Sequence, residues 1–247
     1  MSRRFLGSLV GAAAVVACAA PVAAAATVDV RVVGPDGPLV QERVRTTRRP
    51  VVKDGAHACR GTSAAGALEA ATGGRWTATW FDGLGYALDA VAGVRPAGAD
   101  WWTIWVNGRS STSGLCDTEL QDGDELLTFI CTGATEATGF SCANRPLALR
   151  APRRAAGRTV AVRVVALADD GRGAPAPGAV VAGGTRPVRA DARGVARVPL
   201  PAAGAATLVA TRDGDVAAAP VRCAVRGPVV RCGDGDASAP ALAVTGI

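Results

Sequence analysis

The stretch Ala99–Gly114, ADWWTIWVNGRSSTSG, places three tryptophans in five consecutive residues and then turns at Asn107-Gly108. Asn-Gly favours a two-residue hairpin, because both central positions of a type I′ turn need positive φ. The run before it therefore reads as a strand whose side chains alternate between two faces. Trp102, Ile104 and Val106 share one face, which is wholly apolar and is expected to meet a helix. Trp101, Thr103 and Trp105 share the other, where a threonine separates two indoles about 7 Å apart, a spacing suited to stacking on a ring or an extended ligand. Tryptophan is as much a core residue as a contact residue, so platform and core both stand as readings of that second face.

Outward from this strand, WTATW, YALDAV and ELLTFIC read as further strands, punctuated by Asp82-Gly83 and Asp122-Gly123. TVDVRVV and LVQERVRT flank GPDG as a hairpin. Between them lies one helix, AAGALEAAT, with Thr62 or Ser63 as its cap and Gly73-Gly74 as its stop. A hairpin, one helix and more strands make an α+β layer, a curved sheet gripping a single helix.

All five tryptophans and the only tyrosine, Tyr86, fall between residues 76 and 105, and no aromatic residue follows Phe140. That change of composition, with the Pro- and Arg-rich RPLALRAPRRAAGR, sets a domain boundary near residue 152. Beyond it VAVRVVAL, GAVVAGG, VARVPL, ATLVATR and VAAAPVRCAV are short β runs without helical period. They are expected to form a small antiparallel β-sandwich. The expected organisation is a leader over 1–26, an α+β domain over 27–152, a sandwich over 153–226, and a hairpin remainder and tail over 227–247.

WWTIWVNG fits a W-x-x-aromatic-V-N-G pattern, and LQDGDELLTFIC fits an L-x-x-G-D-x-apolar entry to a final strand. With the helix before TGGRW, these motifs resemble the transcobalamin-like C-terminal domain family, of the secreted actinobacterial type, over residues 27 to about 145. The resemblance implies a β-grasp fold and a role in binding a soluble ligand or a surface, without catalysis. Vitamin B12 carriers hold their corrinoid between this module and a helical barrel, for which this sequence has no counterpart, so cobalamin is not the expected ligand. GAVVAGGTRPVRADARGVARVPLPAAG is similar to carboxypeptidase-regulatory-like or prealbumin-like sandwiches, with Ala190 where their turn carries threonine.

The N-terminus reads as an export signal, with Arg3 and Arg4 before an apolar run and Ala24-Ala25-Ala26 as a small-residue cleavage pattern. The mature chain is then expected to begin at Thr27. SRRFLG departs from a twin-arginine motif at Gly7, and VVAC offers Cys18 as an alternative lipidation site. Without Cys18 the cysteines are Cys59, Cys116, Cys131, Cys142, Cys223 and Cys232, an even set that reads as disulfides in an exported chain. Six cysteines allow about 15 connectivities. Proximity favours Cys131–Cys142 and Cys223–Cys232, leaving Cys59–Cys116. No C-x-x-C pair exists and His57 is the only histidine, so neither a metal nor a cofactor is expected.

Net charge is +6, and loss of Arg3 and Arg4 leaves 25 basic against 21 acidic residues. That is too mild a balance to argue for nucleic acid. Arg186, Arg189, Arg193 and Arg197 read as a solvated face. A hydrolase nucleophile needs a base beside it, and His57 in GAHACRG reads as a loop residue. GTSAAG and GRSSTSG miss the nucleophile-elbow pattern, no phosphate loop is present, and the Asp pairs of QDGDE, RDGDV and CGDGDA lack the other ligands of a calcium loop.

The expected function is therefore a secreted, monomeric, non-enzymatic binding protein. Trp101, Thr103, Trp105 and Tyr86 would present a small molecule or glycan with its site, with no nucleic acid and no transmembrane segment. The alternative is a structural or adhesive envelope protein whose tryptophans are core. At the C-terminus, LAVTG (Leu242–Gly246) resembles a sortase motif, against a frayed tail or the opening strand of a further domain.

Overall fold

The computed structural model describes residues 25–234. Residues 1–24 of the expected leader, with Cys18, and the LAVTG tail lie outside the described residues. Ala26, expected to leave with the signal, is buried; its N–H donates to Thr46 Oγ1 at 2.7 Å and its carbonyl accepts from Thr46 N at 2.8 Å. The packed body therefore includes one residue before the expected cleavage point.

The protein is mainly β, with several sheets. The N-terminal section runs β1 (Thr27–Gly34), β2 (Gly37–Arg45), the short β3 (Val51–Val52) and β4 (Ala58–Cys59), then α1 (Ala64–Thr72). It continues through β5 (Trp76–Phe81), β6 (Gly85–Val91), β7 (Trp101–Val106), β8 (Arg109–Ser110) and β9 (Glu125–Cys131). Five of these form one sheet in the order β2-β1-β9-β7-β8, in which β1 and β9 run parallel, while β5 and β6 form a separate hairpin.

Helix α1 covers one face of the sheet. Val28, Val30 and Val32 alternate toward it from β1 and are fully buried. Ser63 occupies the N-cap position, but its hydroxyl donates to the Arg60 carbonyl instead of capping; Gly73 ends the helix in the left-handed conformation. A Cβ at Gly66 would lie 1.9 Å from the Gly61 carbonyl oxygen, so only glycine lets the helix sit this close to the preceding loop.

The C-terminal section contains β10 (Leu147–Arg150), β11 (Arg154–Ala156), β12 (Thr159–Leu167), β13 (Gly173–Pro175), β14 (Val180–Ala182) and β15 (Val188–Arg189). It is completed by β16 (Val195–Pro199), β17 (Gly204–Thr211), β18 (Val221–Arg226) and β19 (Val229–Asp234). One sheet has β10, β12 and β13 in order, with β16 also paired to β12. The other has six strands in the order β11-β19-β18-β17-β14-β15. Val160, Val162 and Val164 of the first sheet share a core with Leu208, Cys223, Val225 and Val230 of the second. The division expected near residue 152 falls inside this section, because β10 already pairs with β12 and contributes Leu147 and Leu149 to its core.

The three disulfides follow the proximity pairing: Cys59–Cys116, Cys131–Cys142 and Cys223–Cys232. Cys223 and Cys232 face each other directly across β18 and β19.

Candidate functional site

The tryptophan strand is the first candidate. Its turn is as expected, with Asn107 and Gly108 at φ 51° and 74°. Asn107 also pins the hairpin to β9: Nδ2 donates to Asp124 Oδ1 at 2.7 Å, and Oδ1 accepts from Glu125 N at 2.9 Å. Trp102 is buried under the helix side, with Ile104 and Val106 packed against the same cluster.

The other face of the strand is not a free platform. Trp105 is 1% exposed, tilted against Phe129 at 5.8 Å between centroids, in a cluster with Val33, Leu127, Val165, Leu167 and Val216. Trp101 packs against the edge of that cluster and stays half-buried, as does Thr103. The physical reason is layering. Residues 159–163 of β12 alternate buried and exposed, but Val165 and Leu167 at its end are covered by the tryptophan face. The sheet is thus buried on both sides, by α1 and by the C-terminal section. Trp105 cannot stack on an external ligand in this arrangement, which corrects the expectation of an exposed indole there.

Tyr86 is likewise fully buried and belongs to the helix-side core, so it does not join Trp101, Thr103 and Trp105 in one site. Its hydroxyl accepts from Lys53 N at 2.9 Å and Asp54 N at 3.2 Å, and lies 2.7 Å from both Asp54 Oδ1 and the His57 carbonyl oxygen. It organises the loop that carries the only histidine. His57 Nδ1 lies 2.5 Å from Asp54 Oδ2, and its ring stacks on Trp80 at 4.2 Å and 3°. The His57 backbone N–H, the His57 ring, the Ala56 N–H and the Tyr86 hydroxyl together hold the Asp54 carboxyl well below the usual carboxylate range. A carboxylate orienting an imidazole is half of a catalytic arrangement. No serine, threonine or cysteine is hydrogen-bonded to His57 among the described residues.

Lys53, next to this loop, has Nζ 2.6 Å from Glu69 Oε2 and 4.4 Å from the centre of the Trp76 ring. Trp76 Nε1 donates to the same carboxylate oxygen at 2.7 Å. These contacts tie the end of α1 to β5. Among the described residues no group of three or more His, Cys, Asp or Glu is placed to hold a metal ion.

The second candidate, which the sequence did not indicate, is a cleft of about 410 Å³ where the two sections meet. Leu127, Leu147, Leu149 and Leu167 give it a buried apolar lining, and Gln41, Glu42 and Arg150 are exposed around it. Arg31, 8% exposed, spans the junction beside it: Nε donates to Glu125 Oε1 at 2.9 Å and Nη1 to the Ala217 carbonyl at 3.1 Å. The lining is drawn from β1, β2, β9, β10, the end of β12 and the turns beside them, so no single local pattern marks the cleft. One sequence signal for the junction is the doubled valine of RVVAL, which breaks the alternation of β12 where its second face becomes covered.

Comparison of the chain with protein-family models, curated proteins and solved structures finds no match in any of the three.

Proposed function

We propose that this is an extracellular, non-enzymatic binding protein that takes a small molecule or short glycan segment in the cleft between its two sections, not on the tryptophan strand. The observation that carries this reading is the cleft itself: concave, with an apolar lining and a few convergent charged groups, the usual composition of a ligand site. In support, Arg31 and Glu125 hold each other in place beside it and Asn107 is fixed by two hydrogen bonds, so its polar groups are positioned before a ligand arrives. Three disulfides support an oxidising compartment, and no helix among the described residues is long and apolar enough to cross a membrane. The sheet order with its central parallel pair and single covering helix supports a two-domain reading, β-grasp followed by sandwich.

Screening the full chain against neutral glycans and small metabolites by calorimetry tests this. A ligand is expected whose binding is lost when Ala148→Trp fills the cleft, with the melting temperature preserved. Binding insensitive to that substitution would overturn the cleft as the site.

The structural or adhesive reading remains as a second proposal, favoured by the burial of Trp76, Trp102 and Trp105. It expects no ligand in that screen and a rigid rod-like particle in small-angle scattering.

A further inference from the structure

Charge is divided unevenly along the chain. Residues 25–144 hold ten basic and fourteen acidic side chains, whereas residues 145–234 hold fifteen arginines against six aspartates. The arginines are not scattered. In the six-stranded sheet Arg154 of β11 lies directly opposite Arg231 of β19, which lies opposite Ala224 of β18. One pleat to either side on β18 are Arg226, opposite Val229, and Arg222, opposite Gly233 and Thr207.

Alternation puts these positions on the outward face, since Val221, Cys223 and Val225 between them are buried. Every charged residue at the exposed, described positions of β11, β17, β18 and β19 is an arginine. None of the four has an ion-pair partner among the described residues. Arg154, Arg226 and Arg231 border a basin of about 480 Å³ with the small Ala224 side chain in its lining.

From this we infer that the outward face of the six-stranded sheet is a docking surface for an anionic polysaccharide. Like charges directly opposed across strands oppose folding, so the Arg154–Arg231 pair calls for a counter-charge that the described chain does not supply. The planar guanidinium fork accepts carboxylate or sulfate oxygens two at a time. Spacings of about 5 Å across strands and about 7 Å per pleat match repeated charges on an extended chain better than one small anion. The face has no aromatic side chain on which nucleic-acid bases would stack, and Ala156, Ala224, Gly233 and a half-buried Val229 between the arginines give no large apolar anchor for a bilayer. An oxidising compartment, argued from the disulfides, is also where acidic sugar polymers are met.

The test measures binding of heparin and polygalacturonate to the full chain across a salt series. The Arg154→Gln/Arg226→Gln/Arg231→Gln variant is compared with a control, Arg48→Gln/Arg49→Gln/Arg95→Gln, that lowers net charge equally at exposed loop positions of the N-terminal section. Both polymers should bind the wild type with steep salt dependence; the first variant should lose about tenfold or more in affinity and flatten the salt slope, the control less than about twofold. Hydrogen exchange of the wild type with heparin reads the surface without substitution, and protection should fall on β11, β18 and β19. Equal losses in both variants, protection elsewhere, or tighter binding of duplex DNA or phosphatidylglycerol vesicles than of either polysaccharide at matched salt would overturn the assignment.

Discussion

Arg31 on the first strand donates from Nη1 to the carbonyl oxygen of Ala217, 3.1 Å away and 186 positions later in the chain. The same guanidinium donates from Nε to Glu125 on β9. One buried side chain is thus held jointly by the parallel strand beside it and by the C-terminal section. With Trp105 seated against Val165 and Leu167, it makes the junction a packed interface and not a tether.

Coupled unfolding follows from that junction. Urea denaturation of the wild type should give one transition, coincident by tryptophan fluorescence, which reports the N-terminal section, and by circular dichroism, which reports both. Arg31→Met should cost about 1 to 3 kcal/mol, because the Ala217 carbonyl and a half-exposed Glu125 lose their donor. It should also separate the two signals. Retained coincidence with unchanged stability would show that the arginine does not join the sections.

Trp102 and Trp105 should now behave alike. Each is buried, on opposite faces of β7, so Trp102→Ala and Trp105→Ala are each expected to cost about 3 to 5 kcal/mol in denaturation experiments. Both indole N–H groups lie buried without an acceptor among the described residues, so Trp105→Phe, which forfeits no hydrogen bond to them, should cost much less than Trp105→Ala. A Trp105→Ala variant as stable as the wild type would return this indole to the surface.

Local grammar was readable and layering was not. Asn107-Gly108 declares its turn, Ser63 and Gly73 bound their helix, and the parity of WWTIWV sends Trp102 to the helix side as expected. What covers the opposite parity depends on Val165, Leu167 and Val216, more than fifty residues away, and alternation within one strand carries no information about a second layer. TVDVRVV and ELLTFIC did hold a hint. Val33 and Leu127 are apolar on the face that an open sheet would leave to water. Tyr86 misled for a different reason: it lies on the separate β5–β6 hairpin, where its ring meets Trp76 and Trp80 in the helix-side core, and not with Trp101 and Trp105 on the opposite face of the sheet.

The disulfides should differ in worth. Denatured, unreduced protein should label no thiol among the described cysteines. The Cys59–Cys116 bridge closes a separation of 57 residues, against 11 and 9 for the others. On loop entropy its removal by paired alanines should cost about 4 kcal/mol, and removal of either short bridge about 3 kcal/mol. A reversed order in denaturation would mean that native packing, not chain entropy, sets their contribution.

Acid should act on the loop that carries His57. Asp54 receives the His57 N–H at 2.9 Å, the Ala56 N–H at 3.0 Å and the Tyr86 hydroxyl at 2.7 Å on one oxygen, with the His57 ring on the other. Those donors favour the charged form, so its folded-state pKa lies below the unfolded value of about 3.9. A depressed carboxylate pKa adds stability that is fully present above the unfolded value and fades as pH falls toward the folded one. Asp54→Asn keeps the shape and removes the charge. The difference in melting temperature between wild type and Asp54→Asn should therefore shrink steadily as pH falls below about 4. Comparing the two proteins cancels the titration of other acids held low by their own turns, such as Asp170 and Asp191. Trp80 fluorescence, reporting the stacked His57 ring, should change over the same acid range in the wild type alone. A difference that persists undiminished to about pH 2 would mean that the loop is held by packing against Tyr86 and not by the Asp54 charge.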